Sequence, residues 1–236
     1  LLENETPAIR DAVQRAQIRA SGTILSRDLA NEPPNALRPH DLAKRTEEVF
    51  AGSAVKVEIY DEQKLQQLQM HGIIAVGRAS AHAPALIRID YRGGKADEAP
   101  IALIGKGITF DTGGISLKKG RDLSDMRLDM SGAAAVIGAM KIIAELQLQV
   151  NVIALAAAAE NLPDGQAFLP GEVITYANGV SVQVLVAELR QELTDALEEL
   201  EDWQLSGAES YTADSGTASR SAEAEALDHL PSDAVK

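Results

Sequence analysis

Between residues 105 and 118 the chain reads Gly105-Lys106-Gly107-Ile108-Thr109-Phe110-Asp111-Thr112-Gly113-Gly114-Ile115-Ser116-Leu117-Lys118. Four glycines, two lysines and one aspartate thus follow directly on an apolar stretch. Glycines allow positive φ and let a backbone come close to a ligand, and ligand sites in α/β sheets lie at the carboxyl ends of strands. A phosphate-binding loop would need two glycines with four residues between them and Lys-Ser/Thr directly after the second, and a dinucleotide loop would need GxGxxG; neither pattern occurs here. What is left is the chemistry of one carboxylate and two amines. Met126-Arg127-Leu128-Asp129-Met130-Ser131-Gly132-Ala133-Ala134-Ala135 adds a second carboxylate ahead of small residues. Each candidate has a plain alternative. Asp129 at a helix start reads as an N-cap, Asp111 as a turn former, and Lys118 as a solvated surface charge. Lys106 is harder to read that way, because it follows an apolar strand directly and has a glycine on either side.

The elements that must position these groups alternate between helix and strand. Residues 6–30 carry Ile9, Val13, Ile18, Ile24 and Leu25 among polar neighbours and read as one amphipathic helix, ended by Pro33-Pro34. A second helix is expected from Pro39 through Phe50, a strand over 55–60 and a short helix over 61–68. Further strands are expected over 85–91 and 101–105, a helix over 129–146, and a nearly continuous apolar strand over 150–157. An unbroken apolar strand suits a central position covered on both faces. The pattern predicts a three-layer α/β/α sandwich with a mixed, largely parallel sheet.

The chain has 236 residues and a net charge of −13, and lacks cysteine, so disulfides and thiolate metal sites are excluded. Thirteen acids against three bases fall in residues 186–236, which argues against nucleic-acid binding through that segment. No apolar run is long enough to span a bilayer, and the first residues lack the basic flank and apolar stretch of a signal peptide. A cytoplasmic protein is the expectation. Residues 1–185 are expected to form one domain. Within 186–236, Val186, Leu189, Leu193, Ala196, Leu200 and Trp203 predict an acidic heptad-like helix, followed by a disordered tail rich in Ser, Ala, Gly, Glu and Asp.

The stretches 105–118 and 126–135, together with Ala158-Ala159-Glu160-Asn161-Leu162-Pro163-Asp164-Gly165 and Pro170-Gly171-Glu172-Val173, resemble the M17 leucyl aminopeptidases in order and spacing. Arg27-Asp28-Leu29-Ala30-Asn31-Glu32-Pro33-Pro34-Asn35 is similar to the opening of that family's catalytic domain. The resemblance implies a metal-dependent exopeptidase that hydrolyses N-terminal residues such as leucine from peptides by a two-metal mechanism. It implies that Lys106, Asp111 and Asp129 ligate metal, with Lys106 neutral and Asp111 bridging two ions. Lys118 would stabilise the oxyanion, and Met126 would line the pocket for the first side chain. Two divalent ions are implied, Zn²⁺, Mn²⁺ or Mg²⁺, with a peptide substrate and a homo-oligomer, a hexamer in the family.

The family continues with Asn-Thr-Asp-Ala-Glu-Gly-Arg, where this chain reads Val186-Ala187-Glu188-Leu189-Arg190-Gln191-Glu192. With a two-residue deletion, Glu188 stands in for a metal-binding glutamate and Arg190 for the arginine that helps to activate water. The aspartate is then missing, and a dinuclear centre with three of five protein ligands holds its second ion poorly. Relative to the family the sheet is incomplete. The rival reading is a catalytically inactive, truncated homologue that acts as an interaction or assembly subunit.

Overall fold

The computed structural model describes residues 6–119 and 122–184. The acidic segment 186–236, including Glu188 and Arg190, lies outside the described residues. Helix α1 (Pro7–Asn31) opens with Thr6 as N-cap, its hydroxyl accepting from the Ile9 N–H at 3.3 Å, and with proline at the first position. It stops at Glu32, ahead of the two prolines. Helix α2 (Pro39–Phe50) buries Leu42, Ala43, Thr46 and Phe50. Strand β1 (Lys56–Tyr60) follows, then the short helices α3 (Glu62–Gln67), capped by Asp61, and α4 (His71–Gly77). Strands β2 (Ala85–Arg92) and β3 (Ile101–Asp111) lead to a 3-10 helix (Leu123–Met130), helix α5 (Ser131–Glu145) and strand β4 (Asn151–Asn161). A small hairpin, β5 (Val173–Thr175) and β6 (Ser181–Gln183), completes the described part.

The main sheet has the order β1-β2-β4-β3. It is mixed as expected, although among the described strands antiparallel pairing prevails over parallel: β1/β2 and β2/β4 run antiparallel, and β3/β4 run parallel. The apolar strand β4 is central, as its composition suggests, and is longer than the apolar run itself. Successive side chains alternate between faces, so Val152, Ala154, Ala156 and Ala158 enter one core with Ile87, Ile89 and Tyr91 of β2. Met130, Ala133, Ala134, Ile137 and Met140 close that core from the α5 side. Helices α3 and α4 meet the sheet at β1, β2 and β4, and their buried Leu65 and Ala75 lie outside this cluster. Among the described residues β3 pairs only with β4, and Ile104 in its middle is 78% exposed. An apolar edge of that kind is an open template for further pairing.

Helix α1 departs in part from its expected stripe. Val13 and Ile24 are exposed while Leu25 packs against the core beside the buried Leu29, and small residues make the contact with α5. At the crossing with α5, Gly22 faces Gly138, and Ser26 Oγ donates to the Ala134 carbonyl at 2.9 Å. A Cβ at Gly138 would run into Ser26 Oγ and come within 2.5 Å of the Gly22 carbonyl. Gly→Ala in an open helix stabilises by about 1 kcal/mol. Here the opposite sign is expected: Gly138→Ala lowers stability by about 1–3 kcal/mol through overpacking, read as a lower urea midpoint at unchanged m.

Residues 170–173 belong to a structural clamp. Arg78, just after α4, holds Glu172 with two hydrogen bonds of 2.8 and 2.7 Å, and Glu172 also accepts from the Leu169 N–H at 3.0 Å. The Arg78 guanidinium keeps the Glu172 carboxyl below its ordinary range. His71 Nδ1 lies 2.5 Å from the Thr175 carbonyl and ties the hairpin to the same helix.

Candidate metal and active site

Lys106 and Asp111 sit on strand β3 and not in a loop, because the strand runs on to Asp111. Five residues apart on a regular strand they would point to opposite faces. The register with β4 explains why they do not. Lys106 pairs with Ala157 and Ile108 with Ala159, but Phe110 pairs with Glu160 and Asp111 with Asn161. The β-bulge at Thr109 inserts one extra residue and brings Asp111 onto the face that carries Lys106. Asn161 shares that face through its pairing. Its neighbour Glu160 turns the other way, and its Oε2 accepts from Ser80 Oγ at 2.5 Å.

The glycines act mainly through close approach. A Cβ on Gly105 would come within 2.7 Å of the Gly132 carbonyl and of Ala133 Cα, and one on Gly132 would sit 3.0 Å from the Lys106 nitrogen. The start of α5 therefore rests against β3 beside Lys106, which brings the preceding 3-10 helix within reach. Asp129, in that helix, uses its Oδ1 to accept from Lys106 Nζ at 2.7 Å. It is not the N-cap of α5; Met130 holds that position, with no side-chain capping bond. The capping expectation for Asp129 fails because a turn of 3-10 helix precedes α5 and turns the carboxylate towards β3. Past the strand, Gly113 and Gly114 have φ of +89° and +63°, values that favour glycine. They reverse the chain so that the Lys118 N–H donates to the Thr112 carbonyl at 2.9 Å. Lys118 Nζ then lies 2.8 Å from Asp111 Oδ2 and 3.1 Å from the sulfur of Met126.

Four residues expected from the sequence thus meet in two ion pairs, Lys106–Asp129 and Lys118–Asp111, with Met126 against the second. Burial pushes the Asp111 carboxyl up, but the Lys118 ammonium, the Gly113 N–H and the Asn161 amide together hold it below the usual range. Asp129 goes the other way. Burial raises its carboxyl and the Asp111 charge adds to this, against the opposing pull of Lys106. Acid therefore protonates Asp129 first. Its Oδ2 is buried without a hydrogen-bond partner, a costly state for a carboxylate oxygen unless something binds it. Among the described residues no group of three or more His, Cys, Asp or Glu could hold a metal ion. The cluster falls outside that pattern because its third donor is an amine. Two carboxylates, one of them with an orphaned buried oxygen, and one amine fit a divalent cation.

Asn161 is the site residue that the sequence reading did not single out. Its amide donates to Asp111 Oδ1 at 2.7 Å. The available signal was a carboxamide ending a strand of alanines, next to a second polar residue, where an apolar residue would otherwise be expected. Arg190 and Glu188 lie outside the described residues, so their expected roles have no geometry here.

The model of the cytosol aminopeptidase family's catalytic domain (Peptidase_M17) matches residues 24–206, reaching past Leu185 into the acidic stretch. A probable cytosol aminopeptidase from Pseudomonas paraeruginosa is 46% identical over 198 residues, covering 82% of this chain and 40% of that protein. The cytosol aminopeptidase of Pseudomonas aeruginosa PAO1 is likewise 46% identical, with the same coverage. Among solved structures, the bottromycin maturation enzyme BotP in complex with Mn superposes with a TM-score of 0.70 at 36% identity, over 76% of this chain and 38% of BotP. The cytosol aminopeptidase of Coxiella burnetii gives a TM-score of 0.65 at 30% identity, over 71% of this chain and 37% of that one. The chain spans about two fifths of the length of the curated relatives it matches. Over that span the agreement of sequence, fold and site spacing is sufficient: the chain belongs to the cytosol aminopeptidase family and carries part of its catalytic domain.

Proposed function

We propose that this chain carries the metal-binding half of a leucyl aminopeptidase active site, which removes N-terminal residues from peptides with the help of divalent cations. The supporting observation is the convergence of Lys106, Asp111, Asp129 and Lys118, with Asp129 Oδ2 buried and unpartnered. Lys106, Asp111 and Asp129 would hold the cation, and an oxygen-rich set with one amine suits Zn²⁺, Mn²⁺ or Mg²⁺. When bound, such ions act as Lewis acids and make water a stronger nucleophile at neutral pH. Lysine coordinates only as the free amine. The Lys106 side chain is 59% exposed and lies 2.7 Å from Asp129 Oδ1, so its nitrogen is open to an incoming ion beside that carboxylate.

Lys118 has the second role. Its ammonium can leave Asp111 and donate to the oxygen of the scissile carbonyl, where negative charge develops. Met126 touches Lys118 and is half-buried, which suits a wall of the pocket for the first side chain. Leucine p-nitroanilide hydrolysis tests the reading: a rate that needs Mn²⁺ or Zn²⁺ and is lost to chelator is expected, and a folded, metal-loaded chain without any rate contradicts it. In that case the second reading stands, an inactive homologue that binds or assembles with other chains. It is favoured by the presence of only two carboxylates, Asp111 and Asp129, in the cluster among the described residues.

A further inference from the structure

We propose that Asn161 is a positioning residue that fixes which oxygen of Asp111 is offered to the cation. This rests on the metal-binding reading of the cluster and goes further by assigning a role to a residue outside the ligand set. Asp111 Oδ1 accepts two hydrogen bonds from neutral donors, the Gly113 N–H at 2.9 Å and the Asn161 amide at 2.7 Å. A carboxylate oxygen has about two lone-pair positions, so Oδ1 is saturated by groups that carry no charge and have nowhere else to go. Oδ2 pairs with the Lys118 ammonium at 2.8 Å. The carboxylate is thereby locked in rotation, with Oδ1 held by Gly113 and Asn161 and Oδ2 turned to the Lys118 ammonium.

Asn161 is itself held on both sides. It is the last residue of β4 and 9% exposed, and its backbone carbonyl accepts from both the N–H (2.9 Å) and the hydroxyl (2.8 Å) of Thr112. Its amide oxygen lies where a Cβ on Gly114 would approach to 2.8 Å, so the left-handed glycine leaves the room that the amide occupies. The charge of Asp111 sets the flip state, because the amide oxygen turned towards a carboxylate would be repelled. In effect, a β4 residue orients the ligand that the β3 bulge delivers. Asp111 would then offer Oδ2, and not Oδ1, to a cation.

The test is calorimetric titration of Mn²⁺ into the whole chain, with the Mn²⁺ electron paramagnetic resonance spectrum recorded on the same samples. Wild type is compared with Asn161→Leu, which keeps the shape of the side chain without its donor, with Asn161→Ala, and with Asp111→Asn. The expected result is Mn²⁺ binding about 10–100-fold weaker in both Asn161 variants, the size of outer-shell effects at metal sites, together with a changed spectrum at saturation. The metal-free far-UV circular dichroism should be unchanged. Wild-type affinity and spectrum in both Asn161 variants, with binding lost in Asp111→Asn, would overturn the positioning role and leave the metal site standing. Normal affinity in Asn161→Leu with weak binding in Asn161→Ala assigns Asn161 to packing and also overturns the proposal, as does unfolding of both variants without metal. Undiminished binding in Asp111→Asn, or none in wild type, overturns the metal reading and this proposal together.

Discussion

Asp111→Asn should weaken divalent-metal binding at least a hundredfold, a loss of about 3 kcal/mol, while leaving the fold in place. Asparagine is nearly isosteric and keeps an oxygen for the Gly113 N–H and the Asn161 amide, the two bonds that hold the end of β3. It removes the negative charge that faces Lys118, in a side chain only 8% exposed. Lys118 is 28% exposed and can turn to water, so the damage falls on cation binding. Titration calorimetry with Mn²⁺ reads the change directly, and circular dichroism checks that the chain is still folded.

Lys118→Ala should lower kcat for leucine p-nitroanilide by about 10²–10³-fold, the scale seen when one oxyanion donor is removed. KM should change little, since the contact forms only as charge develops on the carbonyl oxygen. Mn²⁺ affinity should stay equal or tighten, because the ammonium and the cation compete for Asp111 Oδ2. Rate and binding thus move apart, which general damage to the site would not produce. The metal-free protein should also lose stability, because a buried carboxylate is left without its counter-ion. The pH dependence has a definite sign. The folded-state pKa of Asp111 lies below its ordinary 3.8, so the stabilisation is complete above that value and disappears as pH falls through the folded pKa. The gap in melting temperature between wild type and Lys118→Ala should be widest near neutrality and close as the pH drops well below 3.8.

The residues at this site were readable from their types, but their convergence was not. Lys106, Asp111 and Lys118 stand in one glycine-rich stretch, and the spacing of the motifs pointed to the family. The β-bulge at Thr109 has no signature of its own in Gly105–Asp111, yet it decides that Lys106 and Asp111 share a face. Asp129 read as a cap because Asp before small helical residues usually is one. In the structure a 3-10 turn precedes α5 and Met130 takes the cap position, while Gly132 packs closely on Gly105. The elements followed their local chemistry closely. Thr6 starts α1, the prolines after Glu32 end it, and the apolar run from Val150 becomes the central strand. The stripe on α1 was only partly right for a physical reason: Leu25 and Leu29 reach the core, but the crossing with α5 is made by Gly22, Ser26 and Gly138, and small residues do not register as hydrophobic periodicity.

The most direct test is anomalous diffraction from crystals soaked in Mn²⁺ and collected at the manganese edge. A single strong peak bonded to Lys106 Nζ, Asp129 Oδ2 and Asp111 Oδ2, with Lys118 swung away from Asp111, is the predicted result. If ordered crystals show no peak in this cluster, and both lysines keep their ion pairs at saturating Mn²⁺, then these side chains form a salt-bridge network and the chain's link to peptidase chemistry is one of descent only.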